Sequence, residues 1–490
     1  MNDSYDLIVI GGGAAGLTAA GMGANFGAKT LLIERDRLGG DCTWNGCVPS
    51  KTLLKTAKIV HAVRHSGRYG VKNPAPEIDF SQIMRHLDAV RQEIYEAADR
   101  PEIYEAMGVD TCQRDARFVD DHTVEVEGGD GARKIRGRYI VIASGGRALV
   151  PPIDGLQDVP FLTNETLFEL EEQPRRLAII GAGPIGTEMA QAFQRLGTEV
   201  TVIDMLGRIL ANDDEELAAM LQDFLGREGV QYVLNAGVRR FDLSGEEIRI
   251  TVEDRGSERT ILADALLLAT GRRPNVESLN LEAAGVEYGK RGITVDDRCR
   301  TSVRHIFAAG DVTGRYQFTH MSEHMAKVAV TNALVKWPMR IDAKHVPWAT
   351  YTDPELAHVG ATEHDLTERG TQFEVYRFPF NKIDRAVTDG ETTGLIKIFA
   401  KKLTGRILGA SILGAGAGDM ISEYALAMRN GVALRQISDT IHPYPTYGLG
   451  VRRAADQWYI RNYSPRFVRF VQKLMGYRGP AKEYEPGEIA

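Results

Sequence analysis

Two cysteines, Cys42 and Cys47, stand five residues apart in a segment suited to redox chemistry. The segment, residues 39–51, reads GGDCTWNGCVPSK. A ring closed by so short a loop gains little stability from chain entropy and is easily strained, which makes its disulfide easier to reduce. The pair therefore suits a disulfide that is repeatedly opened and closed. Two unrelated buried thiols are the alternative, and the glycines and the proline around the pair count against it.

A glycine-rich turn precedes the cysteines. A buried strand predicted at residues 7–10 leads through Gly11, Gly13 and Gly16 into a helix of small residues. The first glycine permits the tight turn, the second lets backbone amides approach a pyrophosphate, and the third lets the helix pack closely on the strand. The next predicted strand ends in Glu34, where an acid accepts hydrogen bonds from the hydroxyls of an adenosine ribose. The predicted contacts of this first dinucleotide are Gly11, Gly13, Ala14, Gly16 and Glu34.

The same pattern returns later in the chain. A strand predicted at residues 177–180 leads into a second GxGxxG turn, a helix, and a strand that ends in Asp204. An acid there binds the free 2′-hydroxyl of NAD and repels a 2′-phosphate, and no Arg or Lys follows until Arg208. This favours NADH, with a solvated turn residue at Asp204 as the alternative. The predicted contacts of the second dinucleotide are Gly181, Gly183, Ile185, Gly186 and Asp204.

Length and composition bound the class of protein. At 490 residues the chain is too long for one core, and its length suggests about three or four domains. A net charge of -7 gives no general affinity for nucleic acid, so we predict no nucleic-acid partner. Four cysteines are too few for a secreted disulfide scaffold. A first strand that leaves no room for a signal peptide, and the lack of a long apolar run, predict a cytoplasmic protein.

Two dinucleotide motifs that flank a cysteine pair resemble the flavoprotein disulfide reductases, the family of dihydrolipoamide dehydrogenase, glutathione reductase and mercuric reductase. Other segments extend the resemblance along nearly the whole chain. Residues 143–146 and 151–155 are similar to the family's crossover into its nicotinamide domain, and residues 269–275 to the return. Residues 306–312 resemble its second flavin motif, and residues 346–360 resemble the opening of its dimerisation domain.

The resemblance implies an α/β fold with two Rossmann-like dinucleotide-binding domains, for FAD and NAD(P), and an α+β carboxy-terminal dimerisation domain that makes a homodimer. The implied boundaries are 1–155 for the first part of the FAD-binding domain, 156–275 for the NAD(P)-binding domain, 276–342 for the second FAD part, 343–457 for the dimerisation domain and 458–490 for a tail. The implied cofactors are FAD and NAD(H), with NADP(H) not excluded, and we predict no metal site. Further implied cofactor contacts are Gly40, Asp41, Lys51, Ser144, Gly145, Gly271, Arg272, Gly310 and Asp311.

The resemblance also implies roles at the cysteine pair. A reduced nicotinamide would pass hydride to the flavin, and the flavin would reduce the disulfide between Cys42 and Cys47. Cys47 would be the thiol next to the flavin, and Cys42 the distal thiol that attacks the substrate. A nearby cation lowers the pKa of a thiol below about 8.5, and Lys51 is a candidate for that cation. In the family this lysine pairs with a glutamate that matches Glu188; a surface Lys51 and a solvated Glu188 are the alternative.

The chain departs from dihydrolipoamide dehydrogenase in the catalytic motif near the carboxy terminus. In that enzyme a His–Glu pair relays protons to the distal thiol, whereas here Tyr444 takes the place of the histidine and Leu449 that of the glutamate. A tyrosine with a pKa near 10 is a poor base at neutral pH, so lipoamide and glutathione would lose an aid worth ~10²–10⁴-fold. His442 could substitute by a shift in register, but a structural histidine is favoured.

Mercuric reductase also has a tyrosine at this position, so the chain resembles mercuric-reductase-like members most closely. True mercuric reductases, however, end in a second cysteine pair, and no cysteine follows Cys299 here. The sequence therefore predicts electron transfer to a small disulfide, a soft metal ion or another electrophile. A dihydrolipoamide dehydrogenase of a multienzyme complex and a redox-responsive binding protein are the alternatives. Trp44 is predicted to add an aromatic surface beside the thiols.

A basic tail follows the predicted dimerisation domain from about residue 458. Residues 467–475 have the spacing of an amphipathic helix with a basic face, and no acid occurs in the tail before Glu483. Such a helix could dock on an anionic membrane surface or on an acidic partner. An extension that packs on the body of the dimer is the favoured alternative.

Overall fold

A computed structural model describes residues 4–72, 75–127, 131–462 and 465–480 of the chain. The chain forms two compact units. The first comprises Met1–Gly181, Ala192–Ile203 and Gly237–Asp342, and the second comprises Ala182–Gln191, Asp204–Ala236 and Ala343–Ala490. Among the described residues, no helix combines the length and the apolar character needed to cross a bilayer.

The secondary structure alternates between strands and helices in the amino-terminal half and is richer in antiparallel strands afterwards. In chain order the strands are β1 (Ser4–Ile10), β2 (Thr30–Glu34), β3 (Val109–Gln113), β4 (Ala116–Phe118), β5 (Thr123–Val126), β6 (Arg133–Ile142), β7 (Gly146–Ala148), β8 (Arg176–Ile180), β9 (Glu199–Asp204), β10 (Gln231–Leu234), β11 (Ala236–Ser244), β12 (Glu247–Asp254), β13 (Ser257–Ala263), β14 (Ala265–Leu268), β15 (Arg272–Pro274), β16 (Tyr288–Gly289), β17 (Gly292–Ile293), β18 (Ile306–Ala308), β19 (Pro347–Thr350), β20 (Glu355–Gly360), β21 (Glu374–Pro379), β22 (Leu395–Ala400) and β23 (Ile407–Gly414). The α-helices are α1 (Ala14–Asn25), α2 (Gly40–Trp44), α3 (Cys47–Arg64), α4 (Phe80–Ile94), α5 (Pro101–Ala106), α6 (Pro184–Leu196), α7 (Glu215–Arg227), α8 (Thr319–Val330), α9 (Glu363–Glu368), α10 (Asp384–Asp389), α11 (Ala417–Arg429), α12 (Leu434–Asp439), α13 (Leu449–Asn462) and α14 (Pro465–Met475).

A largely parallel sheet forms the centre of the first unit. Its strand order is β3-β2-β1-β6-β5-β4, and β18 also pairs with β6. β1 runs parallel to both β2 and β6, and its residues Leu7, Ile8 and Val9 are fully buried. A continuous apolar run is what a strand with both faces covered requires. Helices α1 and α8 contribute to the core on one face of this sheet, and the carboxyl ends of β1 and β2 carry the first glycine turn and Glu34.

A second set of parallel strands in the same unit includes the strand that ends just before Gly181, the first glycine of the second turn. β8 pairs in parallel with β9 and with β14. The short strands β7 and β15 pair antiparallel, with Arg272 opposite Ala148 and Pro274 opposite Gly146. These two strands belong to the segments that resemble the crossover into the nicotinamide domain and the return from it, so the structure brings both segments together.

The second unit contains a five-stranded antiparallel sheet with the order β19-β20-β23-β22-β21. Its core includes the fully buried Tyr376, Phe380 and Ile396, against which α11 contributes Tyr424 and α13 contributes Val451. Together with the parallel strands and glycine turns described above, this α+β layer confirms the predicted fold class. The predicted domain boundaries stay a prediction.

A buried lysine with three acidic partners stabilises the second unit. Lys397 of β22 is 3% exposed, and its Nζ lies 2.9 Å from Asp214 Oδ2, 3.0 Å from Glu216 Oε2 and 2.6 Å from Glu363 Oε2. Asp214 is itself buried and accepts a hydrogen bond from the Leu217 amide at the start of α7. The ammonium group therefore compensates a carboxylate that also caps a helix.

We expect Lys397→Met to destabilise the protein by about 3–5 kcal/mol, because it leaves the Asp214 carboxylate buried without a cation. The matched control is Lys402→Met, which removes an exposed lysine 3.0 Å from Glu374 and should cost about 1 kcal/mol or less. Thermal and urea unfolding measure both variants. Equal shifts of the unfolding midpoint would contradict a special role for Lys397.

Candidate active site

The two cysteines lie on consecutive helices of the first unit. Cys42 lies within α2, and Cys47 is the first residue of α3, which is capped by Gly46 and has no acidic residue in its first turn. The amino terminus of a helix carries a partial positive charge that stabilises an anion. The position of Cys47 therefore favours its thiolate, as at other reactive cysteines.

The reduced pair shares its protons unequally. A hydrogen bond from Cys42 lowers the pKa of Cys47 to about 6; burial opposes this shift, while Thr319 and the nearby charge of Lys51 support it. The same hydrogen bond, together with burial, raises the pKa of Cys42 far above its ordinary value. At neutral pH the reduced site therefore holds a Cys47 thiolate and a Cys42 thiol.

Thr319 is a residue of the site that the sequence did not indicate. Thr319 is the first residue of α8, and its Oγ1 lies 3.4 Å from the Cys47 sulfur. A hydroxyl that donates to a thiolate stabilises it. The two residues are 272 positions apart in the chain and belong to no common motif, so only the fold brings them together.

A buried arginine connects the cysteine segment to the second flavin motif. Arg272 NH1 lies 3.0 Å from Asp41 Oδ2, and its Nε lies 3.1 Å from Asp311 Oδ2. Its NH2 donates to the Gly146 carbonyl at 2.9 Å. The Asn164 amide donates to Asp41 Oδ1 at 2.9 Å, so the side chain next to Cys42 is held from two sides. Charge-assisted bonds of this kind fix geometry as well as charge.

The residues after Cys42 anchor α2 in the protein interior. Thr43 donates to Asp99 at 2.6 Å, and the Trp44 indole donates to the Leu38 carbonyl at 2.8 Å. Trp44 is 8% exposed, and the Arg37 guanidinium lies 3.8 Å from its ring centroid. The prediction that Trp44 adds an aromatic surface beside the thiols is therefore wrong: the ring is an anchor, because its polar edge and its face are both occupied from within the protein.

The first glycine turn has the shape of a dinucleotide cradle. Gly11 has φ +109°, and a Cβ on it would lie 2.3 Å from the Ala143 carbonyl oxygen. A Cβ on Gly40 would lie 2.6 Å from Gly13 Cα, so the cysteine segment begins in direct contact with the cradle. α1 starts with Ala14 after Gly13, which offers no side-chain acceptor, and its first turn has no acid. Its free amides are suited to bind a phosphate group.

The acid at the end of β2 completes the cradle. Glu34 accepts hydrogen bonds from the amides of Gly12 at 2.6 Å and Asp36 at 2.9 Å, which fixes it beside the glycine turn. Gly310 and Asp311 follow β18 in the same unit, and burial raises the pKa of the Asp311 carboxyl against the effect of Arg272. The arrangement fits FAD, with the pyrophosphate at the α1 amides, the adenosine ribose at Glu34 and a polar group of the cofactor at Asp311.

The second glycine turn repeats this geometry closely. Gly181 has φ +110°, and a Cβ on it would lie 2.3 Å from the Ala269 carbonyl oxygen. Asp204 accepts hydrogen bonds from the amides of Ala182 at 2.6 Å and Leu206 at 2.8 Å, as Glu34 does in the first turn. A Cβ on Gly183 would meet nothing within 4 Å, so the turn leaves space for a ligand. Ile185 and Gly186 lie in the first turn of α6, where the predicted nicotinamide dinucleotide would bind.

Ser144 and Gly145 lie where β7 meets β15. The Ser144 hydroxyl donates to the backbone carbonyl of Asn275 at 2.7 Å, and the backbone amide of Asn275 donates to the carbonyl of Gly145 at 3.0 Å. Gly271 precedes β15 and has φ +113°. These contacts hold the crossover and the return side by side.

Three predicted catalytic residues belong to the second unit. Glu188 is 4% exposed and accepts a hydrogen bond from the Tyr351 amide at 2.8 Å. His442 has both ring nitrogens engaged, Nδ1 with the Thr440 carbonyl at 2.9 Å and Nε2 with Glu423 Oε1 at 3.1 Å. Tyr444 is exposed, and a hydrogen bond to Asp384 raises the pKa of its phenol. The pairing of Lys51 with Glu188 stays a prediction.

One cluster of candidate metal ligands occurs among the described residues, at Asp121, His122 and His305. The two imidazole rings stack with centroids 3.7 Å apart and an interplanar angle of 5°. His122 Nδ1 contacts the Gly137 carbonyl, and His305 Nε2 contacts the Asp121 carbonyl. The lone pairs of parallel stacked rings lie in separate planes and do not converge on one ion. The prediction of no metal site stays a prediction.

The pKa of Cys47 is about 6 in the wild type, and we expect Thr319→Val to raise it by about one unit, because the thiolate loses a hydrogen-bond donor. The pH dependence of Cys47 alkylation by iodoacetamide in the reduced protein, followed by peptide mass spectrometry, measures this shift. Thr319→Ser retains a hydroxyl and serves as the control, with a profile close to that of the wild type. Identical profiles for Val and Ser variants would contradict a role for the hydroxyl.

Comparison with known proteins agrees with this geometry. The family described as pyridine nucleotide-disulphide oxidoreductase matches residues 5–326, and its dimerisation domain matches residues 346–455. The chain is 37% identical over 454 residues to a mercuric reductase of Lysinibacillus sphaericus, and the alignment covers 92% of this chain and 82% of the relative. It is 33% identical over 452 residues to a dihydrolipoyl dehydrogenase of Geobacillus stearothermophilus, covering 92% of this chain and 95% of the relative.

Solved structures give the same result. The HOCl-induced flavoprotein disulfide reductase RclA from Escherichia coli, solved as a Cu(II) complex, aligns with a TM-score of 0.84 and 29% identity over 93% of this chain and 100% of that chain. The family of these relatives consists of enzymes that use FAD and NAD(P)H, and its dimerisation domain supports a homodimer. The chain therefore belongs to the pyridine nucleotide-disulphide oxidoreductases and is an FAD-dependent enzyme of that family.

Proposed function

We propose that the protein is an NADH-dependent reductase in which Cys42 delivers electrons to an acceptor that needs no proton from the enzyme, either a disulfide of acidic thiols or a soft metal ion. The observation that carries this proposal is the unequal sharing of protons between the two cysteines. Cys47 is stabilised as a thiolate, and Cys42 retains the proton. A site of this kind has one sulfur in the thiolate form and one protonated sulfur, which must lose its proton before it bonds to the acceptor.

Bound FAD would supply the path for two electrons from the nicotinamide to the protein disulfide. The disulfide between Cys42 and Cys47 takes up two electrons and one proton to give the Cys42 thiol and the Cys47 thiolate. Cys42 then releases its proton to solvent and attacks one sulfur of the acceptor disulfide, which releases one thiolate. Cys47 attacks the Cys42 sulfur of the mixed disulfide, restores the protein disulfide and releases the second thiolate.

The nature of the leaving group decides which disulfides suit this site. His442 has both nitrogens engaged by Thr440 and Glu423, and Tyr444 has a raised phenol pKa. The engaged nitrogens of His442 are not open to an acceptor thiol, and the Tyr444 phenol is a poor base at neutral pH. A disulfide of acidic thiols, whose leaving thiolate is stable without a proton, is therefore favoured over lipoamide. The His442–Glu423 contact favours a lipoamide dehydrogenase, but it leaves no ring nitrogen for a thiol.

A soft metal ion is also an acceptor that needs no proton from the enzyme. It binds the two sulfurs and displaces the Cys42 proton, and reduced FAD, when bound, would supply the two electrons that take one Hg(II) to Hg(0) or two Cu(II) to Cu(I). Relatives of this chain include mercuric reductases and a reductase solved as a Cu(II) complex. Their names support the choice of these two ions as test acceptors.

The nicotinamide preference rests on the surroundings of Asp204. Arg208 is the first cation after this acid, but its NH1 donates to the carbonyls of Leu210 at 3.0 Å and Asp213 at 3.2 Å, and its NH2 donates to that of Ala211 at 2.6 Å. The guanidinium is therefore held by hydrogen bonds to the loop that follows β9. An acid without a free neighbouring cation favours the 2′-hydroxyl of NAD over the 2′-phosphate of NADP.

We expect the wild type to reduce 5,5′-dithiobis(2-nitrobenzoate) or Hg(II) with NADH at a rate at least about 100-fold above that with lipoamide, because this site lacks the proton relay that lipoamide needs. Cys42→Ser should lose at least about 100-fold of turnover with both good acceptors, since its oxygen can neither form the mixed disulfide nor bind Hg(II) as a thiolate does. Steady-state NADH oxidation measures each rate. Ferricyanide, which can draw electrons from the flavin directly, is the control acceptor, and its reduction should persist in Cys42→Ser. Rapid turnover with lipoamide in the wild type would contradict the proposal.

We expect kcat/KM for NADH to exceed that for NADPH by at least about tenfold, because the 2′-phosphate would face the Asp204 carboxylate. Asp204→Asn removes the charge and keeps a polar side chain, so it should lower the ratio of kcat/KM for NADH to kcat/KM for NADPH. Initial rates with each nucleotide and a common acceptor provide the comparison. Equal ratios in the wild type and in Asp204→Asn would show that this acid does not set the preference.

A further inference from the structure

The last described helix presents an apolar ridge to solvent. α14 comprises Pro465–Met475, and its Phe470 and Leu474 are 61% and 66% exposed. Phe467, Phe470 and Leu474 follow the i, i+3, i+7 spacing that aligns side chains on one face of a helix. On the neighbouring face, Val468 and Val471 are only half-buried. Large apolar side chains on one ridge are therefore left in water by the single chain.

A basic stripe runs beside this ridge. Arg466, Arg469 and Lys473 have the same i, i+3, i+7 spacing, shifted by one residue. One residue corresponds to about 100° around an α-helix, so the cations flank the apolar ridge. Long basic side chains in this position can lie along an apolar layer while their charges reach its polar boundary.

The charge of the segment is opposite to that of the chain as a whole. The chain carries a net charge of -7, yet residues 457–482 contain no Asp or Glu. Aromatic and aliphatic residues on one face, with Arg and Lys beside them, are the chemistry of a helix that lies in the surface of an anionic bilayer. Tyr477, exposed just after the helix, adds an amphipathic ring of the kind found at that depth.

We propose that α14 is an interfacial helix that docks the protein on an anionic phospholipid surface. The helix lies outside the segment that the family uses for dimerisation, since the match to that domain ends at residue 455. A second copy of the chain is thus the less favoured occupant of the ridge. Docking brings the apolar ridge to the level of the acyl-chain boundary and the basic stripe to the lipid phosphates.

Flotation of the full-length, FAD-loaded protein with vesicles tests this inference. We expect binding to vesicles of phosphatidylcholine with 30% phosphatidylglycerol and little binding to phosphatidylcholine alone. The double variant Phe470→Ser with Leu474→Ser should weaken binding at least about tenfold through lost apolar burial. The triple variant Arg466→Gln, Arg469→Gln and Lys473→Gln should also weaken it at least about tenfold, and high salt should act on the wild type in the same way.

Matched substitutions elsewhere on the surface control for apolar content and charge. Leu243→Ser with Leu403→Ser removes two exposed leucines, and Lys134→Gln with Arg259→Gln and Lys290→Gln removes three exposed cations. Both controls should bind vesicles like the wild type. FAD content and NADH oxidation with ferricyanide, which do not involve the tail, show that each variant is folded.

Three results would overturn the inference. The first is equal binding of the wild type and both tail variants to anionic vesicles, or no binding by any of them. The second is a change from dimer to monomer in the Phe470→Ser, Leu474→Ser variant, measured by light scattering, which would assign the ridge to a second copy. The third is binding to soluble polyglutamate without binding to vesicles, which would assign the helix to an acidic partner. None of these results bears on the proposed reductase activity.

Discussion

The buried guanidinium of Arg272 joins the parts of the first unit on which the redox site depends. It contacts Asp41 beside Cys42, Asp311 in the second flavin motif and the carbonyl of Gly146, where the chain passes towards the nicotinamide domain. The Arg272 side chain is 13% exposed, so loss of its charge would leave the largely buried Asp311 carboxylate without this cation. The cysteine segment and the cofactor cradle are therefore held as one arrangement.

The chemistry of the two cysteines follows from this rigid support. α2 is anchored through Thr43 and Trp44, and Cys47 is the first residue of α3. The anchors fix the two thiols so that one proton lies between them and belongs to Cys42. A helix terminus, a hydroxyl and a lysine then act together on the remaining thiolate, each with a small electrostatic effect.

The sequence predicted those parts of the site that depend on local geometry. The strand, glycine turn and helix of each dinucleotide motif are adjacent in the chain, and the acids Glu34 and Asp204 fall close enough to be placed by spacing alone. Contacts between distant segments were not predictable in this way: Asn164 is 123 residues from Asp41, and no pattern links them. The role of Trp44 was misjudged for a related reason, because burial depends on what the rest of the chain packs against the ring.

The proposed function requires that the Cys47 sulfur lies next to the flavin and that the disulfide between Cys42 and Cys47 takes up the electrons of the nicotinamide. Anaerobic titration of the FAD-loaded protein with NADH, followed by absorbance at long wavelength, tests it most directly. We expect a new charge-transfer band from the thiolate to the flavin in the wild type and its loss in Cys47→Ser. No band in the wild type with either NADH or NADPH, or the same band in Cys47→Ser, would contradict the placement of Cys47 next to the flavin.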